Sequence, residues 1–308
     1  MKSEIPLVSV VIPTYNRPVY LKRSIQSVLE QTYSNIEIIV VDDNNPGTQA
    51  RFETESVMKI YEEHPEVVYI KHDRNRNGSA ARNTGWKAAH GKYITFLDDD
   101  DEIALAKIER QVLCLEALDD SWGACYTGYR LIKENGKEQI SAEKRSGFCY
   151  VDALMRTMFM GSGSNLFLRK KVVDEIGGYD ESFRRNQDIE FMVRVLEYYK
   201  IINIDEPLLK IYQQGKRERR SFEDIEQVTE HYLNTFSEKI NNLSVGDRKR
   251  VISVISLERF RVAFYYKKYS DGFKILRDNH VSIIMIIKYL GYLSHRMITN
   301  KSYGFDGK

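Results

Sequence analysis

Cysteine is scarce in this sequence: Cys114, Cys125 and Cys149 are the only three in 308 residues. An odd number, widely spaced, with no Cys-x-x-Cys pair and no Cys/His cluster, argues against a disulfide framework and against structural zinc. Reduced core thiols are expected. Proline is also sparse, with six residues, and no long linker, low-complexity tract or internal repeat is present. Unbroken apolar runs last only a few residues, too short to span a bilayer. The start, Met1-Lys2-Ser3-Glu4-Ile5-Pro6, is too short and too acidic for a secretory leader. A soluble, cytoplasmic chain is therefore expected, with peripheral contact at the inner face of the cell membrane left open. Charge of one sign is missing too. The formal net charge is +2, so nothing draws the whole chain to nucleic acid and no nucleic-acid partner is expected.

What is present is an ordinary globular composition, 42% hydrophobic and 29% charged. The first hundred residues alternate β-branched runs with amphipathic stretches. Leu7–Ile12, Ile36–Val41, Val67–Ile70 and Tyr93–Leu97 read as strands, and residues 18–31, 48–63 and 79–89 read as helices between them. That alternation predicts an α/β fold with a mostly parallel sheet flanked by helices, joined by right-handed crossovers. Residues 120–215 are mixed: strands near 123–132, 164–169 and 201–213, and a helix near 187–199. Helix candidates at 221–242, 246–268 and 281–298 make a C-terminal helical extension. The expected division is 1–215 (halves 1–103 and 104–215) and 216–308.

Ligands of such sheets bind beyond the carboxyl ends of the strands. Each predicted strand here ends in polar residues: Pro13-Thr14-Tyr15-Asn16-Arg17, Asp42-Asp43-Asn44-Asn45, Arg74-Asn75-Arg76-Asn77-Gly78 and Asp98-Asp99-Asp100-Asp101. Topology brings these clusters to one rim. The run of aspartates is the sharpest feature. Two carboxylates about 4 Å apart repel by roughly 4 kcal/mol at an effective dielectric of about 20. A hard divalent cation, Mg2+ or Mn2+, relieves that repulsion and also accepts diphosphate oxygens. A solvated turn with one capping aspartate is the plainer reading, but a cap needs only one.

Asp42-Asp43 fits either a simple turn or a carboxylate accepting from a base N–H or a ribose hydroxyl. Gly78 permits a tight entry into a helix whose N-terminus faces an anion, and Arg82, one turn in, reaches a phosphate or a neighbouring aspartate. Asp188 fits a helix-dipole charge or a catalytic base. Asp180 reads as a local cap. The basic run Lys216-Arg217-Glu218-Arg219-Arg220 fits solvated surface, a cover for a diphosphate or contact with anionic lipid. In 281–298 the apolar residues nearly encircle the first half, which favours packing in a bundle over a membrane interface.

The order of these clusters resembles the family 2 glycosyltransferases, which have the GT-A fold. The matching pieces are Val8–Arg17, Ser27–Tyr33, Glu37–Asp43, Ala81–Gly85, Gly91–Asp101, Gly177–Glu181 and Gln187-Asp188, covering about residues 6–213. The resemblance implies a sugar-nucleotide-dependent, metal-assisted enzyme. Pro13, Thr14 and Tyr15 with Asp43 would form the base pocket, joined in donor binding by Arg17, Asp42, Arg82 and Asp99. Asp98 to Asp100 would be the DxD motif, with Asp98 near the ribose and, with Asp100, on Mn2+ or Mg2+. Asp188 would be the base in an inverting displacement. Two departures stand out: Gln187 replaces a common glutamate, and Tyr212-Gln213-Gln214-Gly215 stands where many members carry a histidine. Family habit further implies a UDP-linked donor and a glycan or lipid-linked acceptor in surface polysaccharide synthesis. A sugar-phosphate nucleotidyltransferase would want glycines after strand one, which this chain lacks. A non-catalytic nucleotide-binding scaffold is disfavoured by the intact aspartates.

Overall fold

The computed structural model describes residues 5–213 and 220–307. In chain order the elements are β1 (Val8–Thr14), α1 (Pro18–Leu29), β2 (Ile36–Asp42), α2 (Gln49–Met58), β3 (Val67–Lys71), α3 (Gly78–Ala88), β4 (Tyr93–Phe96), β5 (Glu102–Ile103), α4 (Lys107–Glu116), β6 (Trp122–Ile132) and β7 (Glu138–Ser141). Then come α5 (Tyr150–Leu154), β8 (Phe167–Arg169), α6 (Lys170–Ile176), α7 (Gln187–Tyr198) and β9 (Lys200–Tyr212). The remaining helices are α8 (Phe222–Thr235), α9 (Ser237–Asn241), α10 (Val245–Tyr265), α11 (Tyr269–Asp278) and α12 (Ile283–Thr299).

The chain forms two compact units. One holds the chain through Phe148 with Met160–Gln213; the other holds Cys149–Phe159 with the C-terminal helices. In the first, the strand order is β7-β6-β8-β4-β1-β2-β3, with β9 paired to β5 and β6. β4, β1, β2 and β3 are parallel. β8 runs antiparallel to β4 and to β6. From β1 the chain steps outward through β2 and β3, then returns to lay β4 on the other side of β1. The crevice between β1 and β4 is thus the point where the strand order reverses, the usual ligand position in such sheets. β1 is buried along its whole length because it lies between neighbours on both sides. Its pairing with β4 stops at Val11↔Phe96, so Pro13, which has no N–H to donate, sits where β1 has only β2 as partner. Leu21, Ile25 and Val28 of α1 pack with Val8, Val10, Ile12, Ile38 and Val40 in the main core.

In the second unit, Ser221 and Asp224 cap α8 reciprocally, the Ser221 hydroxyl accepting from Asp224 N at 3.0 Å and Asp224 Oδ2 accepting from Ser221 N at 3.1 Å. Tyr232 is fully buried and its hydroxyl donates to the Leu154 carbonyl at 3.0 Å. That contact ties α5 to this unit, so the division near 215 omits residues 149–159. The stretch 221–242 is two helices, α8 and α9. α4, α6, β7 and α11 were not anticipated. α4 has buried Ile108, Val112 and Leu115 at helical spacing but no side-chain cap at Ala106, and α6 is only seven residues long. In 281–298, α12 packs one side within this unit through buried Tyr289, while most of its large aliphatic side chains are exposed. Cys125 and Cys149 are buried free thiols, and Cys114 is half-buried.

Candidate active site

Every strand-end cluster of the first hundred residues reaches the β1–β4 crevice, and cross-links between loops define the site. The Thr14 hydroxyl at the end of β1 donates to Asp99 Oδ2 at 2.7 Å. Asn16 takes a positive φ of 57°, a conformation asparagine tolerates, and its N–H donates to Asn44 Oδ1 at 2.8 Å, tying the first loop to the second. Arg17 then turns back: its guanidinium lies 2.9 Å from Asp99 Oδ1 and bonds Asp100. From α1, the Ser24 hydroxyl reaches the Asp99 and Asp101 carbonyls at 2.8 and 2.7 Å, and Arg23 donates to the Asp100 carbonyl at 2.6 Å. The aspartate turn is therefore braced through its backbone as well as its side chains.

Exposure alternates along that turn. The Asp98 and Asp100 side chains are 27% and 12% exposed, whereas Asp99 is 0% exposed and Asp101, at 2%, is nearly as buried. The two carboxylates spaced i and i+2 face outward. Burial pushes Asp99 up to about 7, against the pull of Arg17 and the Thr14 hydroxyl. Burial and the Asp98 charge push Asp101 up to about 7 as well, against hydrogen bonds from Ser164 and Ser162. Those hydroxyls donate to Asp101 Oδ2 at 2.6 and 2.7 Å. The repulsion among the aspartates is thus relieved in part by Arg17, by hydroxyl donors and by raised proton affinity.

The second centre is Arg82. Its guanidinium bonds Asp98 Oδ1 at 2.5 Å and Gln187 Oε1 at 3.0 Å, bridging the aspartate turn to the start of α7. Burial opposes its charge, but Asp98, Tyr179 and Asp188 raise its pKa overall. Gly78 is favoured here by close approach rather than by its own φ, since an added Cβ would push the Arg82 and Gln187 side-chain ends aside. A Cβ at that position would lie 2.9 Å from the Arg82 guanidinium and 3.2 Å from Gln187. The positive φ (80°) and the helix cap belong instead to Asn77, whose side chain accepts from Ser79 N and Ala80 N. Two of the N–H groups at the α3 N-terminus are thereby already taken by this cap.

Asp188 lies in the first turn of α7, half-buried. Burial raises its pKa, Asp98 adds to this, and Arg82 pulls the other way. A Cβ on Gly163 would sit 3.5 Å from the Asp188 Cβ, so the 162–165 turn lies against it. In the same turn Ser164 Oγ accepts from Asp98 N at 2.9 Å. What aims α7 is a set of contacts far apart in sequence. The Asn83 amide exchanges two hydrogen bonds with the Tyr179 backbone, at 2.7 and 2.9 Å. The Tyr179 ring stacks on Phe191 at 4.3 Å and meets the edge of Phe96 of β4 at 5.0 Å. Asp180 is a local cap, accepting from Ser182 N at 2.8 Å.

The second loop divides its two aspartates. Asp42 is fully buried. Its oxygens accept from Asn44 N at 2.9 Å, Asn44 Nδ2 at 2.7 Å and the Tyr69 hydroxyl at 2.5 Å, with Arg51 Nε at 3.3 Å. With these partners Asp42 shapes the loop. Asp43 Oδ1 meets His72 Nδ1 and Arg76 N, both at 2.7 Å, while Oδ2 accepts from Asn75 Nδ2 at 2.8 Å and keeps acceptor capacity. Beside it Pro13 and Thr14 are buried and Tyr15 is 41% exposed.

His72, Ser162, Ser164, Asn83 and Tyr179 were missed as site residues. His72 follows β3 on the same rim, which was the one available signal; its Nε2 meets the Thr84 hydroxyl at 2.9 Å. Lys107 is buried beneath the turn, donating to the Ser164 carbonyl at 3.3 Å, and burial brings it down to about 8. Tyr212, at the position of the histidine departure, donates to Glu102 at 2.7 Å and lies 3.8 Å beneath the Arg23 guanidinium. Gln214 and Gly215, and Lys216 to Arg219 of the basic run, lie outside the described residues.

Among the described residues no group of three or more His, Cys, Asp or Glu side chains is arranged to hold a metal. Mg2+ ordinarily takes only one or two protein carboxylates, with phosphate and water completing its shell. The outward-facing pair Asp98 and Asp100 fits that donor set.

Residues 9–177 match the sequence profile described as Glycosyl transferase family 2. An uncharacterized glycosyltransferase of Rickettsia felis is 34% identical over 208 residues, 66% of this chain and 33% of that protein. One from Methanocaldococcus jannaschii is 33% identical over 210 residues, 67% of this chain and 70% of its own length. The chain thus spans about a third of the Rickettsia relative and more of the archaeal one. In three dimensions it is similar to Staphylococcus aureus TarS 1-349 in complex with UDP-GlcNAc, with TM-score 0.67 and 16% identity over 96% of this chain and 89% of that one. It is also similar to the mannosyltransferase PcManGT of Pyrobaculum calidifontis in complex with GDP-Man and Mn2+, with TM-score 0.58 and 16% identity over 96% and 81%. The architecture is that of the GT-A glycosyltransferases. The profile match covers more than half of the sequence, and the chain belongs to glycosyl transferase family 2.

Proposed function

We propose that the chain is an inverting glycosyltransferase that moves a sugar from a nucleotide sugar to a hydroxyl of a glycan or lipid-linked acceptor. The observation that carries this reading is Arg82, which bonds Asp98 on one side and stands within electrostatic reach of Asp188 on the other. Donor-holding and proton-accepting carboxylates thereby share one rim at the β1–β4 crevice.

In the proposed reaction Asp188 accepts the proton of the acceptor hydroxyl while its oxygen attacks the anomeric carbon. The bond from that carbon to the diphosphate oxygen breaks, and the nucleoside diphosphate leaves with the electron pair. Arg82 favours the ionised form of Asp188 and so keeps the base ready. Asp98 and Asp100 would hold a divalent cation, which when bound offsets the charge that grows on the departing diphosphate. Asp43, Pro13, Thr14 and Tyr15 would receive the nucleotide base and ribose.

A uridine nucleotide is the proposed donor, in line with the UDP-GlcNAc held by TarS, though PcManGT holds GDP-Man. The proposed setting is surface polysaccharide synthesis. It accords with similarity to a putative teichuronic acid biosynthesis glycosyltransferase of Bacillus subtilis, 34% identical over 133 residues, 42% of this chain. The test is a panel of nucleotide sugars with Mn2+ or Mg2+, read as nucleoside diphosphate release. Release from a nucleotide sugar, lost in Asp188→Asn, is expected. Pyrophosphate release from a nucleoside triphosphate would replace the proposal with nucleotidyl transfer.

A further inference from the structure

α12 is amphipathic with its apolar side turned outward. One side is fixed within its own unit. Tyr289 is buried, and its ring meets Phe305 at 5.3 Å. Tyr292 meets Phe305 at 5.2 Å, and Arg296 lies over Phe159 at 4.8 Å. The opposite arc carries Ile283, Ile284, Ile287, Leu290, Met297 and Ile298, which are 49% to 84% exposed. At 3.6 residues per turn these six side chains fall within about 140° of the helix circumference. Exposed Lys288 and His295 border that arc on one edge. Isolated exposed apolar residues are ordinary, but six within one arc, with only Gly291 and Ser294 between them, mark a surface built to be covered.

Charge says what covers it. From Asn279 through Phe305 the sequence contains no aspartate or glutamate, while Lys288 beside the arc and Lys301 just after the helix are cationic; Arg296 is turned inward over Phe159. An isologous pairing of two copies through this arc would bring lysines together with no acidic residue on the helix to offset them. No helix among the described residues is long and apolar enough to cross a membrane. A helix with a wide apolar face, a lysine at its edge and no acids suits the headgroup plane of an anionic bilayer, where a lysine stem reaches up to the phosphates. We propose that the exposed arc of α12 docks this chain on an anionic lipid surface, lying in the interface. This rests on the proposed function only where it concerns a lipid-linked acceptor; the docking itself is independent of it.

The test is flotation of the full chain with vesicles of phosphatidylcholine containing about a quarter phosphatidylglycerol, against phosphatidylcholine alone. The chain is expected to float with the anionic vesicles and to detach as salt rises. The triple substitution Ile284→Asn, Ile287→Asn, Ile298→Asn is expected to weaken binding at least about tenfold, with helicity by circular dichroism unchanged. Lys288→Glu should weaken it several-fold and carries the test if the triple variant unfolds. Equal binding to neutral vesicles, no binding to anionic ones, or a lipid-free dimer abolished by the triple substitution would overturn the proposal. Nucleoside diphosphate release in lipid-free solution should be the same in the triple variant as in the parent, so loss of docking and loss of transfer are separable.

Discussion

The crevice rim and α12 solve opposite problems. At the rim, buried polar groups are joined across long stretches of chain: Thr14 to Asp99, Asn16 to Asn44, Arg82 to Gln187, Asn83 to Tyr179. Each group is costly to bury alone and inexpensive once paired, so the rim holds only as a set. α12 keeps its polar and aromatic contacts inward and leaves large apolar side chains in water. A rim residue is therefore expected to be sensitive to almost any change, whereas an exposed α12 residue is expected to matter to what it touches and hardly to folding.

That contrast can be broken in several ways, beginning with the largest effect. Asp188→Asn is expected to lower kcat by roughly 10²–10⁴-fold while leaving donor affinity, measured by calorimetry, nearly unchanged. Full turnover in that variant would remove Asp188 from its role. Asp100→Ala should eliminate the dependence of nucleotide-sugar binding on Mn2+ or Mg2+; an unaltered metal titration would count against the Asp98–Asp100 pair. Next in size is Asn83→Ala. It leaves the buried Tyr179 N–H and carbonyl without their partners and should cost about 1–3 kcal/mol in chemical denaturation. Since Tyr179 braces α7, turnover should drop with it.

A smaller effect concerns pH. The folded environment raises the pKa of Asp188, so the acid limb of kcat/KM should lie above the ordinary aspartate value. Arg82 opposes that rise. Arg82→Gln should therefore move the limb to still higher pH; a move to lower pH would contradict the electrostatic role given to Arg82. The smallest effect is expected for Ile287→Asn, an exposed position, where denaturation should change by no more than about 0.5 kcal/mol. A large loss there would mean that α12 is packed and not presented.

The parallel sheet and the rim were legible because both rest on short-range signals. β-branched runs ending in acidic or amide residues mark strands and their carboxyl ends whatever the rest of the chain does. The division of labour inside each acidic pair was not legible. Asp42 and Asp43 are adjacent and chemically identical, and only the positions of Tyr69 and Arg51 against one, and of His72 and Asn75 against the other, separate them. The same holds for the aspartate turn, which buries Asp99 and leaves Asp98 and Asp100 more exposed. α12 shows the reverse difficulty. Its helical period was readable, but whether an apolar stripe faces protein or solvent depends on which other helices arrive, and these are not encoded within the stripe.

By itself, the sequence determined the strands and helices of the parallel half, the acidic strand ends and the absence of any bilayer-spanning run, because each follows from local steric preference and hydrophobic period. Tertiary structure alone decided which aspartates face ligand, that Arg82 joins Asp98 to the turn bearing Asp188, and that residues 149–159 fold with the C-terminal helices. Those outcomes depend on groups tens of residues apart reaching hydrogen-bonding distance, and only the closed fold brings them there.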